Sequence, residues 1–254
     1  MTREEKLLWR LDRSGRGLEI GPSYNPVASK RNGFDVKIVD IASRDELRAK
    51  YASHNVSLEN IEEVDYIWQG QPYCELVGER NCFDWIVASH VIEHTPDLIA
   101  FLNDCGDILK PDGILSLAIP DKRRCFDYFR PISGLEKVID AHCLGQKTHS
   151  AGTIAEYLLN ATRGAGSITW EGRIEGPFEI ICPLSEAIAH YESSLKTPTT
   201  IDAHAWCFTP SSFRMLINDL NRLNAISLNE VRWLPTSGPE FFIQLSRAGA
   251  GAEE

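Results

Sequence analysis

Three groups of residues have the types and spacing to do chemistry. The first is the turn Glu19-Ile20-Gly21-Pro22-Ser23-Tyr24-Asn25-Pro26, followed 19 residues after Gly21 by Asp40. A glycine there lets the backbone approach a ligand closely, and an acid at that distance can accept hydrogen bonds from both hydroxyls of a ribose. The second group is Ser89-His90-Val91-Ile92-Glu93-His94, directly after the apolar run Phe83–Ser89. It lies where ligands bind in open α/β sheets, so His90 either touches a ligand or packs beside it, and His94 either does the same or holds the turn. The third group is dispersed: Asp121, His142, His149, Asp202 and His204 could each take a proton, and Asp121-Lys122-Arg123-Arg124 could pair with an anion or form a solvated charge cluster. Asp202-Ala203-His204 is compatible with a base or metal pair, but two ligand types in three residues do not define a metal site, and none is assigned.

The turn also discriminates between nucleoside cofactors. A dinucleotide pyrophosphate needs several backbone N–H donors at a helix start and little side-chain bulk. Pro22 and Pro26 each remove a donor, and Ser23 and Asn25 stand where further glycines would be expected. A cofactor without phosphate, carrying a cationic sulfur, does not need that nest, and Glu19 offers a carboxylate to its amino-acid portion. No Tyr-x-x-x-Lys pair exists, against short-chain oxidoreductases.

These residues need a scaffold that brings strand ends together. Gly17–Gly21, Val36–Ile41, Val64–Trp68, Phe83–Ser89 and Ile114–Ile119 read as strands. Helices are expected from about Pro26, from the Ser43/Glu46 capping box to Tyr51, and from Thr95 (cap) and Pro96 (first position) to the stop at Lys110-Pro111-Asp112-Gly113. Between residues 121 and 203 the pattern changes to helices near Leu135–Cys143, Thr153–Ala161 and Leu184–Leu195. Thr209-Pro210 then opens a helix to about Leu223, and Ser227–Leu234 and Glu240–Ser246 close the chain as an antiparallel pair, with Gly249–Glu254 a frayed tail. Alternating strands and helices imply a doubly wound, mostly parallel α/β sheet in a single domain over residues 1–254, with 121–203 inserted as a helical cap.

Composition narrows the partners. A formal charge of -10 and the absence of a basic stripe exclude a nucleic-acid substrate. Residues Met1 to Arg16 lack the apolar core of a signal peptide and no run is long enough to span a bilayer, so a cytoplasmic protein without a membrane partner is expected. The seven cysteines show no Cys-x-x-Cys pair and read as reduced thiols.

Leu18-Glu19-Ile20-Gly21, Asp40, Phe83 through His94, and Ile108-Leu109-Lys110-Pro111-Asp112-Gly113-Ile114-Leu115 together resemble class I S-adenosylmethionine-dependent methyltransferases, in the small-molecule branch related to types 11 and 23. The resemblance covers residues 15 to 120 and, more loosely, the closing helix and two strands. It implies a seven-stranded Rossmann-like sheet and S-adenosylmethionine as cofactor, with S-adenosylhomocysteine as product. It places Glu19 and Gly21, with Ser23 and Asn25 in the same turn, near the methionine portion, Asp40 on the ribose, Gln69 and Gly70 near the adenine, and Ser89, His90 and His94 along the inner side. The sequence departs from the family at Ser23 and Asn25, where glycines are usual, and at Gln69, where an acid is common. The implied reaction is methylation of a small molecule, foremost an oxygen on a sugar or secondary metabolite, with an anionic acceptor and a homodimer left open. His90, His142, His204 and Asp121 are the candidate catalytic residues. Two rivals remain: a nicotinamide-dependent oxidoreductase or sugar epimerase, and a non-catalytic partner that binds a nucleoside.

Overall fold

Side chains of the strands alternate between two faces, and each face carries its own apolar cluster. Ile86 and Ala88 pack with Leu18, Ile20, Leu115 and Leu117 on one side, while Trp85 and Val87 pack with Val36 and Ile38 on the other. The computed structural model describes residues 1–197 and 201–251. Along the chain it forms α1 (Arg3–Leu7), β1 (Gly17–Ile20), β2 (Val36–Asp40), α2 (Arg44–Tyr51), β3 (Tyr66–Ile67), α3 (Tyr73–Val77), β4 (Phe83–Ser89), α4 (Leu98–Ile108) and β5 (Leu109–Pro120). The inserted segment holds α5 (Leu135–Cys143), α6 (Ala151–Asn160), β6 (Thr162–Gly164), β7 (Phe178–Ile180) and α7 (Leu184–Ser194). The chain returns to the sheet through α8 (Pro210–Arg222), β8 (Asn229–Ser237) and β9 (Glu240–Ser246).

The main sheet has seven strands in the order β3-β2-β1-β4-β5-β9-β8. Pairings from β3 to β5 are parallel, and β9 is antiparallel to both β5 and β8, so β9 alone runs against the other six. This is the Rossmann-like methyltransferase fold the sequence implied. Strand order reverses between β1 and β4, which opens a crevice at their carboxyl ends.

Local chemistry explains the elements that hold the site. Thr209 caps α8 with Ser212 in a reciprocal pair, and Phe213, Leu216, Ile217 and Leu220 bury one stripe of that helix. Gly17 lets β1 lie against the Trp85 ring: a Cβ there would stand 2.0 Å from Trp85 Cη2. At the amino end of the chain, α1 opens with its own capping box, Thr2 and Glu5, and its Leu7 carbonyl accepts the Ser116 hydroxyl from inside the sheet at 2.6 Å.

Several boundaries differ from the sequence reading. No helix follows Pro26, because the Val27 and Ala28 amides donate to the buried Glu19 carboxylate instead of to helical carbonyls, and only a 3-10 turn at Lys30–Asn32 follows. Thr95 does not cap α4; its hydroxyl donates to the Ile92 carbonyl, and Asp97 caps the helix by accepting from the Ala100 amide at 2.9 Å. Lys110–Gly113 lies inside β5, since the strand begins where α4 ends and Lys110 pairs with Asp84. The third strand shrinks to two residues, α3 was not anticipated, and the insertion adds the β6–β7 ladder beside a Tyr128–Phe178 stack. Of the expected frayed tail, Gly249 and Gly251 are tied down through amide bonds to the Ser246 and Glu230 carbonyls, while residues 252–254 lie outside the described residues. All seven cysteines are free.

Candidate functional site

The crevice at the carboxyl edge of β1, β2 and β4 opens into two adjoining cavities of about 490 and 840 Å3, which share Ile20, Gly21, Asp40, Trp68, Val91 and His94. Both volumes suit a cofactor-sized ligand. Trp68, Tyr73 and Phe101 give the first cavity an aromatic wall, with Gln69 and Gly70 at its rim. Such a wall accepts a planar heterocycle. The second cavity is the more polar of the two and takes in Ser23, Asn25, Ser89, His90 and His149, with Asp202 shared between them.

Asp40 ends β2 at the junction of the two cavities. Its carboxylate accepts the Ile41 amide at 2.8 Å through one oxygen and the Ser23 amide at 3.1 Å through the other. Each oxygen retains a lone pair for a ribose hydroxyl. Burial raises its pKa despite those two bonds. Gly21 (φ 62°) sits so close to Val91 that a Cβ would approach its Cγ2 to 3.0 Å. Ser23 adopts φ 51°, a left-handed conformation that costs a non-glycine residue about 1 kcal/mol. The turn therefore keeps a glycine-like shape with serine in place, held by the bond from its amide to Asp40. Ser23 Oγ, on the wall of the second cavity, is buried without a hydrogen-bond partner among the described residues.

Glu19 lines the second cavity beside Gly21 and also braces the turn. Its carboxylate accepts the Val27 amide at 2.7 Å and the Ala28 amide at 2.9 Å, bracing the return of the turn. Burial pushes its carboxyl up to about 7, against the two amide bonds.

His90 also stands in the left-handed region, at φ 54°. Its Nε2 meets Glu240 Oε2 at 2.8 Å, and its Nδ1 lies 3.4 Å from Glu93 Oε1. Burial alone would lower its pKa, but the two carboxylates outweigh it and raise it to about 9. In neutral solution the ring is an imidazolium, without a free lone pair to act as base. Glu240 is held in turn by Arg3 of α1 at 2.8 Å, and Arg3 also donates to the Ser89 hydroxyl.

The structure thus gathers Glu19, Gly21, Ser23, Asn25, Asp40, Gln69, Gly70, Ser89, His90 and His94 on the cavity walls, together with His149 and Asp202. Asp121, His142 and His204 line neither cavity. Asp121 is fully buried and accepts from Arg123 and from the Thr236 hydroxyl, so it organises the chain after β5. His142 is bound at 2.9 Å to Asp97, the cap of α4. His204 sits behind His94, with Nδ1 2.6 Å from Asp127. The basic run is likewise elsewhere: Arg123 is spent on Asp121, and Lys122 and Arg124 donate to the Tyr128 and Gly172 carbonyls. Sequence reasoning missed Trp68, Tyr73, Phe101, Arg3 and Glu240. The apolar periodicity of Leu98–Ile108 reveals Phe101 as a buried residue, but nothing local couples Arg3 to Glu240 across 237 positions.

A family model described as a methyltransferase domain matches residues 3–166, more than half of the chain. This chain belongs to the methyltransferase-domain family. It is of the class I type, and S-adenosylmethionine is the family's cofactor. A ubiquinone biosynthesis O-methyltransferase of Xanthomonas campestris is 35% identical over 92 residues, 36% of this chain and 36% of that protein. The mitochondrial ubiquinone biosynthesis O-methyltransferase of Bos taurus is 28% identical over 106 residues, 41% of this chain and 28% of that protein. The chain therefore matches only about a third of these curated relatives' length. Among solved structures, the mitomycin 7-O-methyltransferase MmcR aligns over 96% of this chain and 53% of that chain, at 13% identity and a TM-score of 0.45.

The residues fit the family's cofactor. The aromatic wall suits adenine, Asp40 suits the ribose hydroxyls, and the unpartnered Ser23 Oγ awaits a polar group. The prolines of the turn leave few donors for a pyrophosphate, and this cofactor has none. No described helix is long and apolar enough to cross a membrane.

Proposed function

We propose that the protein transfers the methyl group of S-adenosylmethionine to an oxygen of a small metabolite, a sugar or a secondary metabolite, with residues 121–203 capping the acceptor. The observation that carries this reading is the paired cavity: an aromatic lobe joined through Asp40 to a polar lobe large enough for a second molecule. Bound cofactor supplies an electrophilic methyl on a cationic sulfur, and in-line transfer leaves a neutral thioether. Asp40, Trp68, Tyr73 and Phe101 would hold the nucleoside, and the Gly21 turn the remainder. Lys147, His149, Ile201 and Asp202, from the inserted segment, wall the polar lobe, which supports a cap that orients the acceptor and excludes water.

A hydroxyl acceptor must lose a proton as its oxygen bonds to the methyl carbon. His149 is the side chain best suited to take it. It lines the polar lobe, its Nδ1 is buried without a partner among the described residues, and burial lowers its pKa, which favours the neutral ring. The O-methyltransferase names of the curated relatives favour an oxygen acceptor. His149→Ala should lower kcat at least tenfold and leave S-adenosylhomocysteine affinity within twofold; an unchanged kcat across pH 6–9 would remove His149 from the reaction.

Calorimetric titration with S-adenosylhomocysteine and with NAD tests the whole reading. Saturable heat with the first and none with the second is expected, followed by label transfer from methyl-tritiated cofactor onto members of a panel of hydroxylated sugars and phenols. Saturation by NAD alone would establish the oxidoreductase alternative, and cofactor binding without turnover across the panel would favour a non-catalytic partner.

A further inference from the structure

Behind the polar lobe, Glu93, His94 and His204 converge. Glu93 is 1% exposed, and neither of its carboxylate oxygens has a hydrogen bond among the described residues; His90 Nδ1 lies at an ion-pair distance of 3.4 Å from Oε1. His94 Nε2 and His204 Nε2 each stand 4.0 Å from Glu93 Oε1, too far for a hydrogen bond. One ligand atom from each of the three residues lies within 4.8 Å of the others. The two rings meet nearly at right angles, 88°, with centroids 4.6 Å apart.

The opposite nitrogens are already held. His94 Nδ1 lies 2.7 Å from Asp202 and His204 Nδ1 2.6 Å from Asp127. With each Nδ1–H donated to its carboxylate, the two Nε2 atoms stand on the side of Glu93, where a metal ion would take the place of a proton. Two imidazole nitrogens and a buried carboxylate, which also faces the His90 ring, then surround one small volume that a divalent cation can enter as the Nε2 protons leave. Ligand atoms around a first-row divalent ion, at bonds of about 2.1 Å, are separated by roughly 3–4 Å, so the cluster needs only a slight contraction. Carboxylates behind both imidazoles are the usual outer shell of such an ion.

We propose that Glu93 Oε, His94 Nε2 and His204 Nε2 form a site for one divalent first-row transition-metal ion, in the class of Zn2+. Two imidazoles with one carboxylate suit this class better than Mg2+ or Ca2+, which take all-oxygen sets. Three protein ligands leave a coordination position open. Glu93 and His94 follow β4, whereas Asp127, Asp202 and His204 come from or border the inserted segment, so the ion would pin that segment to the sheet. His94 and Asp202 also line the cofactor cavities, which sets the ion directly behind their wall. The proposal goes beyond the methyl-transfer reading and does not depend on it, because occupancy is measured without turnover.

The test uses untagged full-length protein with Cys143, the exposed thiol, replaced by serine to remove a competing ligand. After chelator treatment, Zn2+ affinity is measured by competition with a chromophoric chelator, and Co2+ substitution is followed by visible absorption. One equivalent of tightly bound Zn2+ and a Co2+ spectrum without sulfur charge transfer are expected. Glu93→Gln and His204→Ala should each weaken Zn2+ binding at least 100-fold, and Asp202→Asn about 10-fold, whereas His142→Ala, outside the cluster, should match the parent. Circular dichroism identifies folded variants; the isosteric Glu93→Gln and Asp202→Asn keep the test decisive if His204→Ala unfolds. Parent affinity retained in Glu93→Gln, or binding in the parent no tighter than in a Glu93→Gln/His204→Ala double variant, would overturn the site.

Discussion

At the scale of single residues, the two acids on which the sequence reading rested do different work. Asp40 stands at the junction of the two cavities and accepts the Ile41 and Ser23 amides, whereas Glu19, more deeply buried on the wall of the second, accepts the Val27 and Ala28 amides and braces the turn. Asp40→Ala should therefore weaken S-adenosylhomocysteine binding by about 1–3 kcal/mol, read as a roughly 10- to 100-fold rise in Kd by calorimetry. Undiminished affinity would take Asp40 out of the site. Glu19 predicts a pH effect on stability instead. Folding raises its carboxyl from 4.5 to about 7, so the native state holds a proton that the unfolded chain has released. Its contribution is fully present below pH 4.5, falls as pH rises toward 7 and is flat above, a change on the order of 3 kcal/mol. Urea midpoints of the parent, compared with Glu19→Gln between pH 4.5 and 8, should show this slope in the parent only; parallel curves would refute it.

At the scale of elements, the site depends on how closely β1 approaches β4. Gly17 leaves the Trp85 ring room that even a methyl group would occupy, since its Cβ would fall 2.0 Å from the ring. Gly17→Ala should cost about 1–3 kcal/mol as an overpacked core position, measured by urea unfolding, and Trp85→Phe in the same chain should restore part of it. Equal costs with and without Trp85→Phe would show that the ring is not the obstacle. The elements most legible in the sequence were those with strong local signals, such as β4 with its continuous apolar run and α8 with its cap, first-turn proline and stripe. The missed ones were short or decided by partners remote in sequence. The segment after Pro26 fails to form a helix because a buried acid from β1 takes its amides, and α4 starts at Asp97 because Thr95 bonds backward to Ile92.

For the molecule as a whole, ligand binding and folding are linked, since the crevice exists only when β1, β2 and β4 are assembled. S-adenosylhomocysteine at 100 times its Kd should stabilise the native state by about 2.7 kcal/mol, a rise in Tm of roughly 5–10 °C for a chain of this size. Thermal unfolding followed by fluorescence, with NAD as the control, measures this; an equal rise with NAD would contradict a crevice built without phosphate donors. The inserted segment takes part in the same assembly, because Asp202 joins His94 and Asp127 holds His204 across it.

The sequence by itself determined the sheet class, the turn at Gly21, the acid at Asp40 and the exclusion of a pyrophosphate nest, because each follows from periodicity or from backbone donors that proline removes. Only the tertiary structure decided which titratable groups share a space. His90 meets Glu240 across 150 positions, and His204 approaches Glu93 across the whole insertion, while Asp121 and His142, equally suitable by residue type, line neither cavity and are taken up by Arg123 and Asp97. A side chain's chemistry is local, but its partners are set by topology, and partners decide whether an acid or imidazole binds, reacts or merely holds the chain.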